Sequence, residues 1–138
     1  MENFALLHSY TDVGLLILRC SVALIFFVHG LWKMQNGNTM AKNMGKPENG
    51  WMFTFLGWVE FAAAAALVMG LFAQIAAIVL SLIMAGAIYC KIEEWKVPFT
   101  SHDKTGWEFD LMILAGCVLL ILEGAGRIAL DKTFFALY

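Results

Sequence analysis

The chain is predicted to be all-α, an integral membrane up-down-up-down four-helix bundle, and three observations carry that reading. The stretch from Phe61 to Cys90 holds no charged side chain, with Gln74 and Ser81 as its polar interruptions. A membrane helix needs about 20 apolar residues to cross a hydrocarbon core of ~30 Å, so this stretch is too long for one span and fits two short ones joined by a tight turn. Composition agrees, at 61% hydrophobic and 14% charged with a mean hydropathy of +0.74, values that set a soluble fold aside. The 138 residues then give one domain over 1–138, with room for about four spans and two short polar loops. No length remains for a large extramembrane catalytic domain.

The first span is expected over Val13–Trp32. The preceding Met1–Asp12 lacks a basic run, Arg19 falls inside the span and no small-residue cleavage pattern follows it, so the segment reads as a retained helix rather than a removed signal peptide. Lys33–Trp51 carries Asn36-Gly37-Asn38 and Lys46-Pro47-Glu48-Asn49-Gly50 and is expected to be a loop. The second span, Met52–Met69, contains the run Ala62–Ala66 between Gly57 and Gly70, small residues that let helix backbones approach closely in lipid. A turn at Met69–Gln74 leads into the third span, Gln74–Cys90. A second loop, Lys91–Trp107, with Pro98, Ser101, His102, Asp103 and Gly106, precedes the fourth span, Glu108–Glu123.

Four antiparallel spans place both loops at one end, with Trp32, Trp51, Trp95 and Trp107 at headgroup level there, and the chain termini at the other. Lys33, Lys42, Lys46, Lys91, Lys96 and Lys104 at the loop end outnumber Arg127 and Lys132, which favours cytoplasmic loops. Net charge is −2, so nucleic acid is excluded as a partner on electrostatic grounds. Cys20, Cys90 and Cys117 form no C-x-x-C pair and read as small apolar residues.

In such a chain the informative residues are those that are costly to bury. A guanidinium at the position of Arg19 costs at least ~2.5–3.5 kcal/mol on insertion scales unless it faces the interior and is paired. At 100° per residue Arg19, Ala23, Phe26, Gly30 and Lys33 share one face, with His29 at its edge. Counting inward places His29 and Lys33 near the loop end, Glu60 one layer deeper and Arg19 toward the far half. Glu108 and Asp110 stand at the mouth of the fourth helix, about 200° apart, so only one of them points inward. A polar column from the loops into the bundle is expected. The alternative is an ion-pair network that only fixes register: Arg19 with Glu60 or Glu123, Lys33 with Glu108, and Glu123 with Arg127. No residues suggest a metal site.

These residues resemble the DoxX family of small four-helix membrane proteins, within a wider group that includes the methylamine-utilisation protein MauE. The resemblance rests on Arg19 followed by Phe26-Phe27-Val28-His29-Gly30-Leu31-Trp32-Lys33, on Glu60 in an Ala/Gly-rich helix, on Gly106-Trp107-Glu108-Phe109, and on Gly124-Ala125-Gly126-Arg127-Ile128-Ala129-Leu130-Asp131. It implies a multi-pass protein of a bacterial inner membrane that works near the quinone pool, with polar family positions at Arg19, His29, Lys33, Glu60 and Glu108, and at Arg127 and Asp131 in the closing motif. Where the family commonly ends its third helix with a histidine or asparagine, this chain has Tyr89, Cys90 and Lys91.

Two functions follow as expectations. In the first, a quinone or another small oxidisable molecule binds in the column, His29 and Glu60 exchange protons in the catalytic roles, and Arg19, Lys33 and Glu108 bind the ligand. The chain has no flavin, haem or cysteine-pair motif, so electrons would come from a redox partner subunit or a soluble donor, and the protein would be a subunit more than a complete enzyme. In the second, the bundle is not an enzyme: it carries a small solute or lipid, or anchors a partner complex. The lipid bilayer is a partner in either case, and self-association is open.

Overall fold

The computed structural model describes residues 10–100 and 105–131. They are all-helical, with four long helices and no strand among the described residues: α1 Thr11–Asn43, α2 Gly50–Met69, α3 Ala73–Tyr89 and α4 Trp107–Glu123. A short 3-10 turn, Pro47–Asn49, precedes α2, and a five-residue π-helical turn, Cys90–Glu94, continues α3. Ser101, His102, Asp103 and Lys104 of the second loop, most of the segment before Asp12, and Lys132 lie outside the described residues.

Three of the helical segments, those of α1, α2 with its preceding turn, and α3 with its π turn, are long and apolar enough to cross a membrane. The 17 residues of α4 rise only about 26 Å, short of a ~30 Å core. Large apolar side chains point away from the protein all along these helices, among them Ile17, Leu24, Phe55, Leu82, Met112 and Leu122. Helices apolar on their outer as well as inner faces are what a lipid solvent selects, since hydrocarbon does not penalise an exposed leucine.

Three spans fall within two residues of their sequence-based bounds, but α1 does not. It runs eleven residues past Trp32, through the Asn36-Gly37-Asn38 sequence of the expected Lys33–Trp51 loop. Asn36 leaves helical geometry (φ −121°, ψ 16°), and its side-chain amide donates to the Trp32 carbonyl at 3.0 Å. The turn chemistry therefore produces a bend inside a helix, not an exit from one. Beyond the bend, buried Gly37 lies against Gly50 and Thr54, where an added Cβ would stand 2.8 Å from the Gly50 carbonyl oxygen. The helix stops at Gly45 (φ 68°), where Gly45 N–H donates to Lys42 O and Lys46 N–H to Ala41 O, a Schellman end. Gly70 (φ 64°) ends α2 in the same way, through Leu67 O and Ala66 O, and the chain turns into α3 within three residues.

Packing is closest between α1 and α2. Gly30 and Gly57 face each other, and an added Cβ on either would sit 2.7–2.8 Å from the other's carbonyl oxygen. Phe27 and Phe61 meet edge to face alongside, with ring centroids 4.9 Å apart. The buried core continues through Ala64 and Leu67 of α2 to Ala77 and Leu80 of α3 and Cys117 and Leu120 of α4.

Candidate functional site

A charged pair forms at the glycine crossing. Lys33 follows Gly30 by three residues and Glu60 follows Gly57 by three on antiparallel helices, so the two flank the crossing, Lys33 beside Gly57 and Glu60 beside Gly30, and the long lysine side chain reaches across it. The Lys33 ammonium donates to Glu60 Oε1. Glu60 is 1% exposed and its second oxygen, Oε2, is buried with no hydrogen-bond partner; the Lys33 side chain keeps 16% of its surface open.

Lys33 also lines a cavity of about 490 Å³ at the loop end. Its walls include Met40 and Met44 from the far limb of α1, Lys46 and Asn49 from the α1–α2 connection, Met52, Phe53 and Leu56 from α2, and Leu82, Ile83, Gly86 and Ala87 from α3, with Cys90 and Glu94 from the π turn and Trp95 after it. This is the size of a small-molecule site, apolar with few polar groups. Methionines supply three of its walls, and unbranched thioethers adapt to irregular ligands. The outer limb of α1, which the sequence reading took for a loop, is what closes the cavity on one side.

A second buried pair stands in the other half of the protein. Lys91 Nζ lies 2.6 Å from Asp110 Oδ2 and also reaches the carbonyls of Thr105 and Gly106 at 3.3 and 3.5 Å. Asp110 is the inward member of the Glu108/Asp110 choice. Glu108 turns outward to accept from Thr100 Oγ1 at 2.5 Å, and it joins neither Lys33 nor the cavity.

Arg19 is buried toward the far half, where the sequence placed it, with Nη2 donating to the Ile128 carbonyl at 2.5 Å. Its Nη1 lies against Gly70, and among the described residues it forms no ion pair with Glu60, whose partner is Lys33, or with Glu123. Asp131 caps α3, accepting from the amides of Phe72 at 2.8 Å and Ala73 at 3.2 Å, while its own amide donates to Gly70 O. Arg127 N–H donates to Asp12 Oδ1 at 2.7 Å. The Gly124–Asp131 motif thus ties the start of α1 to the α2–α3 turn. Gly70 is separated from Glu60 by ten residues of α2, about 15 Å of rise, so Arg19 and Glu60 do not form one column.

His29 is exposed on the outer side of α1. It sits about 80° from the Arg19–Gly30 stripe, and the glycine crossing draws α2 onto the centre of that stripe, leaving its edge outside. The expected network therefore divides into Lys33–Glu60, of which Lys33 lines the cavity, and Arg19 with the closing motif, while His29 and Glu108 stand apart from both. Among the described residues no group of three His, Cys, Asp or Glu is placed to hold a metal ion. Sequence reasoning missed the Lys91–Asp110 pair, although Lys91 stood at the position marked as a departure from the family pattern. It also missed Met40 and Met44, whose i,i+4 spacing was the available signal.

The family model described as DoxX matches residues 14–92, more than half of the chain. The chain belongs to the DoxX family. It is 30% identical over 127 residues to a Bacillus subtilis (strain 168) protein named "Putative oxidoreductase CatD", covering 90% of this chain and 89% of that one. A Haemophilus influenzae (strain Rd) relative, named only as an uncharacterized protein, is 31% identical over 136 residues, covering 94% and 96%. No solved structure matches. The matched stretch holds the Gly30–Gly57 crossing, Lys33, Glu60 and every wall residue of the cavity except Glu94 and Trp95. Family membership and three helices able to span make this a membrane protein.

Proposed function

We propose that this DoxX-family protein is an up-down-up-down four-helix membrane subunit, in a bacterial inner membrane, that binds a quinone in the loop-end cavity as part of quinone-linked redox chemistry. The observation that carries the reading is a lysine in the wall of a mostly apolar cavity of ligand size, paired behind that wall to the buried Glu60. A quinone has the matching pattern, with flat apolar carbons that suit Met52, Phe53 and Leu82 and carbonyl oxygens that accept from Lys33. Reduction to the quinol takes two electrons and two protons. Lys33 donates the hydrogen bond that stabilises charge developing on the carbonyl oxygen, and Glu60, behind it, relays protons. The electrons come from a partner subunit or soluble donor, in keeping with the oxidoreductase name of the Bacillus relative. His29 is left out of the proton path because it faces away from the cavity.

The apolar character of most of the wall also suits a lipid tail, which favours a carrier or anchoring role as the second reading. Mass spectrometry of the extract from gently solubilised protein separates the two. Quinone near one per chain supports redox work, and phospholipid alone supports the second reading.

A further inference from the structure

We infer that the cavity is loaded from the bilayer, between α2 and α3, and that the Lys46–Glu94 ion pair bars it from water. This deepens the quinone reading and rests on it for the identity of the ligand. It narrows the ligand to molecules dissolved in the membrane.

The two sides of the cavity differ. Toward the loops, Lys46 from the α1–α2 connection meets Glu94 from the π turn at 3.1 Å, and both residues line the cavity. The pair joins two segments that are otherwise separate in the chain, across the loop side of the cavity. Toward the flank, Leu82 is 69% exposed and Met52 41%, and both belong to the wall. Gly86, also in the wall, has no atom within 4 Å of where a Cβ would stand. That flank lies on helices whose outer faces are apolar, so its opening meets lipid. A polar solute would have to break the ion pair, and an apolar one would pass beside a glycine.

Cys90 lines the same cavity and reports access to it without any quinone. Protein in lipid nanodiscs is treated with a lipid-soluble maleimide or a sulfonated, water-soluble methanethiosulfonate. Labelling at the Cys90 peptide is followed by mass spectrometry, each rate divided by that of the unfolded chain. The lipid-soluble reagent is expected to be the faster, and Gly86→Leu to slow it alone. Lys46→Gln and Glu94→Gln are each expected to speed the sulfonated reagent by about two- to fivefold, the range open to an exposed ion pair. The Lys46→Gln arm decides, because removing a cation would by simple electrostatics slow an anionic reagent. The double exchange Lys46→Glu with Glu94→Lys is expected to restore the slow rate, which also shows that the variants fold. Equal normalised rates for the two reagents, no reaction at Cys90 with the maleimide, or no acceleration in Lys46→Gln would overturn the inference. Because no quinone is used, a failed extraction leaves the route standing and a failed route leaves the extraction standing.

Discussion

At the loop end each buried carboxylate faces a lysine across two helical segments, Glu60 with Lys33 and Asp110 with Lys91, whereas at the terminal end Arg19 meets a backbone carbonyl and Asp131 meets two backbone amides. Backbone partners move only with the chain segments to which they belong, the start of α3 for Asp131 and the bend after α4 for Arg19. Side-chain partners can exchange one another for a ligand. Arg19 and Asp131 therefore read as stitching, holding the α2–α3 turn against the chain's closing motif; Arg19 Nε and Nη1 are buried without hydrogen-bond partners just as Glu60 Oε2 is, so what sets the Lys33–Glu60 pair apart is its side-chain partner and the cavity beside it. A buried charge in a membrane protein is not by itself a functional signal; the kind of partner it has separates structure from chemistry.

The largest effect that would test this contrast is expected from Lys33→Met. It leaves Glu60 fully enclosed with no counter-charge, a loss of about 3–5 kcal/mol for a broken buried pair. The double variant Lys33→Met with Glu60→Gln recovers much of it, as a double-mutant cycle on thermal unfolding checks. A double variant no more stable than Lys33→Met would mean that the two side chains are not coupled.

A smaller effect is expected at the crossing that positions the pair. Gly57→Ala places a methyl 2.7 Å from the Gly30 carbonyl, and overpacking of this kind costs about 1–3 kcal/mol. Because the strain separates α1 from α2, quinone content is expected to fall with stability, which distinguishes the crossing from the terminal stitching. His29→Ala is the smallest. On an outer face it is expected to shift stability by less than about 0.5 kcal/mol and to leave quinone content unchanged. A loss of bound quinone in that variant would return His29 to the proton path and break the division proposed between the cavity and the outer face.

Much of the fold was legible because lipid imposes a simple rule on sequence: apolar runs of fixed length, interrupted where the chain leaves the membrane. That rule placed α2, α3 and α4 and the Gly70 turn. It failed at Asn36-Gly37-Asn38, where residues that break a helix in water bend one here, because Gly37 gains a close contact with the start of α2 that outweighs the local preference. The site was legible as a set of costly residues, and Arg19, Lys33 and Glu60 are all buried or partly so. Their pairing was not, since helical spacing gives the face and depth of a residue but not which neighbouring helix meets it. The 200° between Glu108 and Asp110 showed that one must turn in, and only the position of Lys91 selects Asp110.

The most direct test compares one lesion at each end in the same preparation. Glu60→Gln keeps the shape of the side chain, and the Lys33 it leaves behind is partly open and can reach toward water. Asp131→Ala removes the cap of α3, worth about 0.5–2 kcal/mol. Quinone per chain, measured by mass spectrometry at a temperature where both variants are folded, is set beside their melting temperatures. The expected result is an emptied site at nearly unchanged melting temperature for Glu60→Gln, and a lowered melting temperature with the site still filled for Asp131→Ala. Quinone content that simply follows melting temperature in both variants, or that is absent from the unaltered protein, would contradict the assignment of the loop end to chemistry.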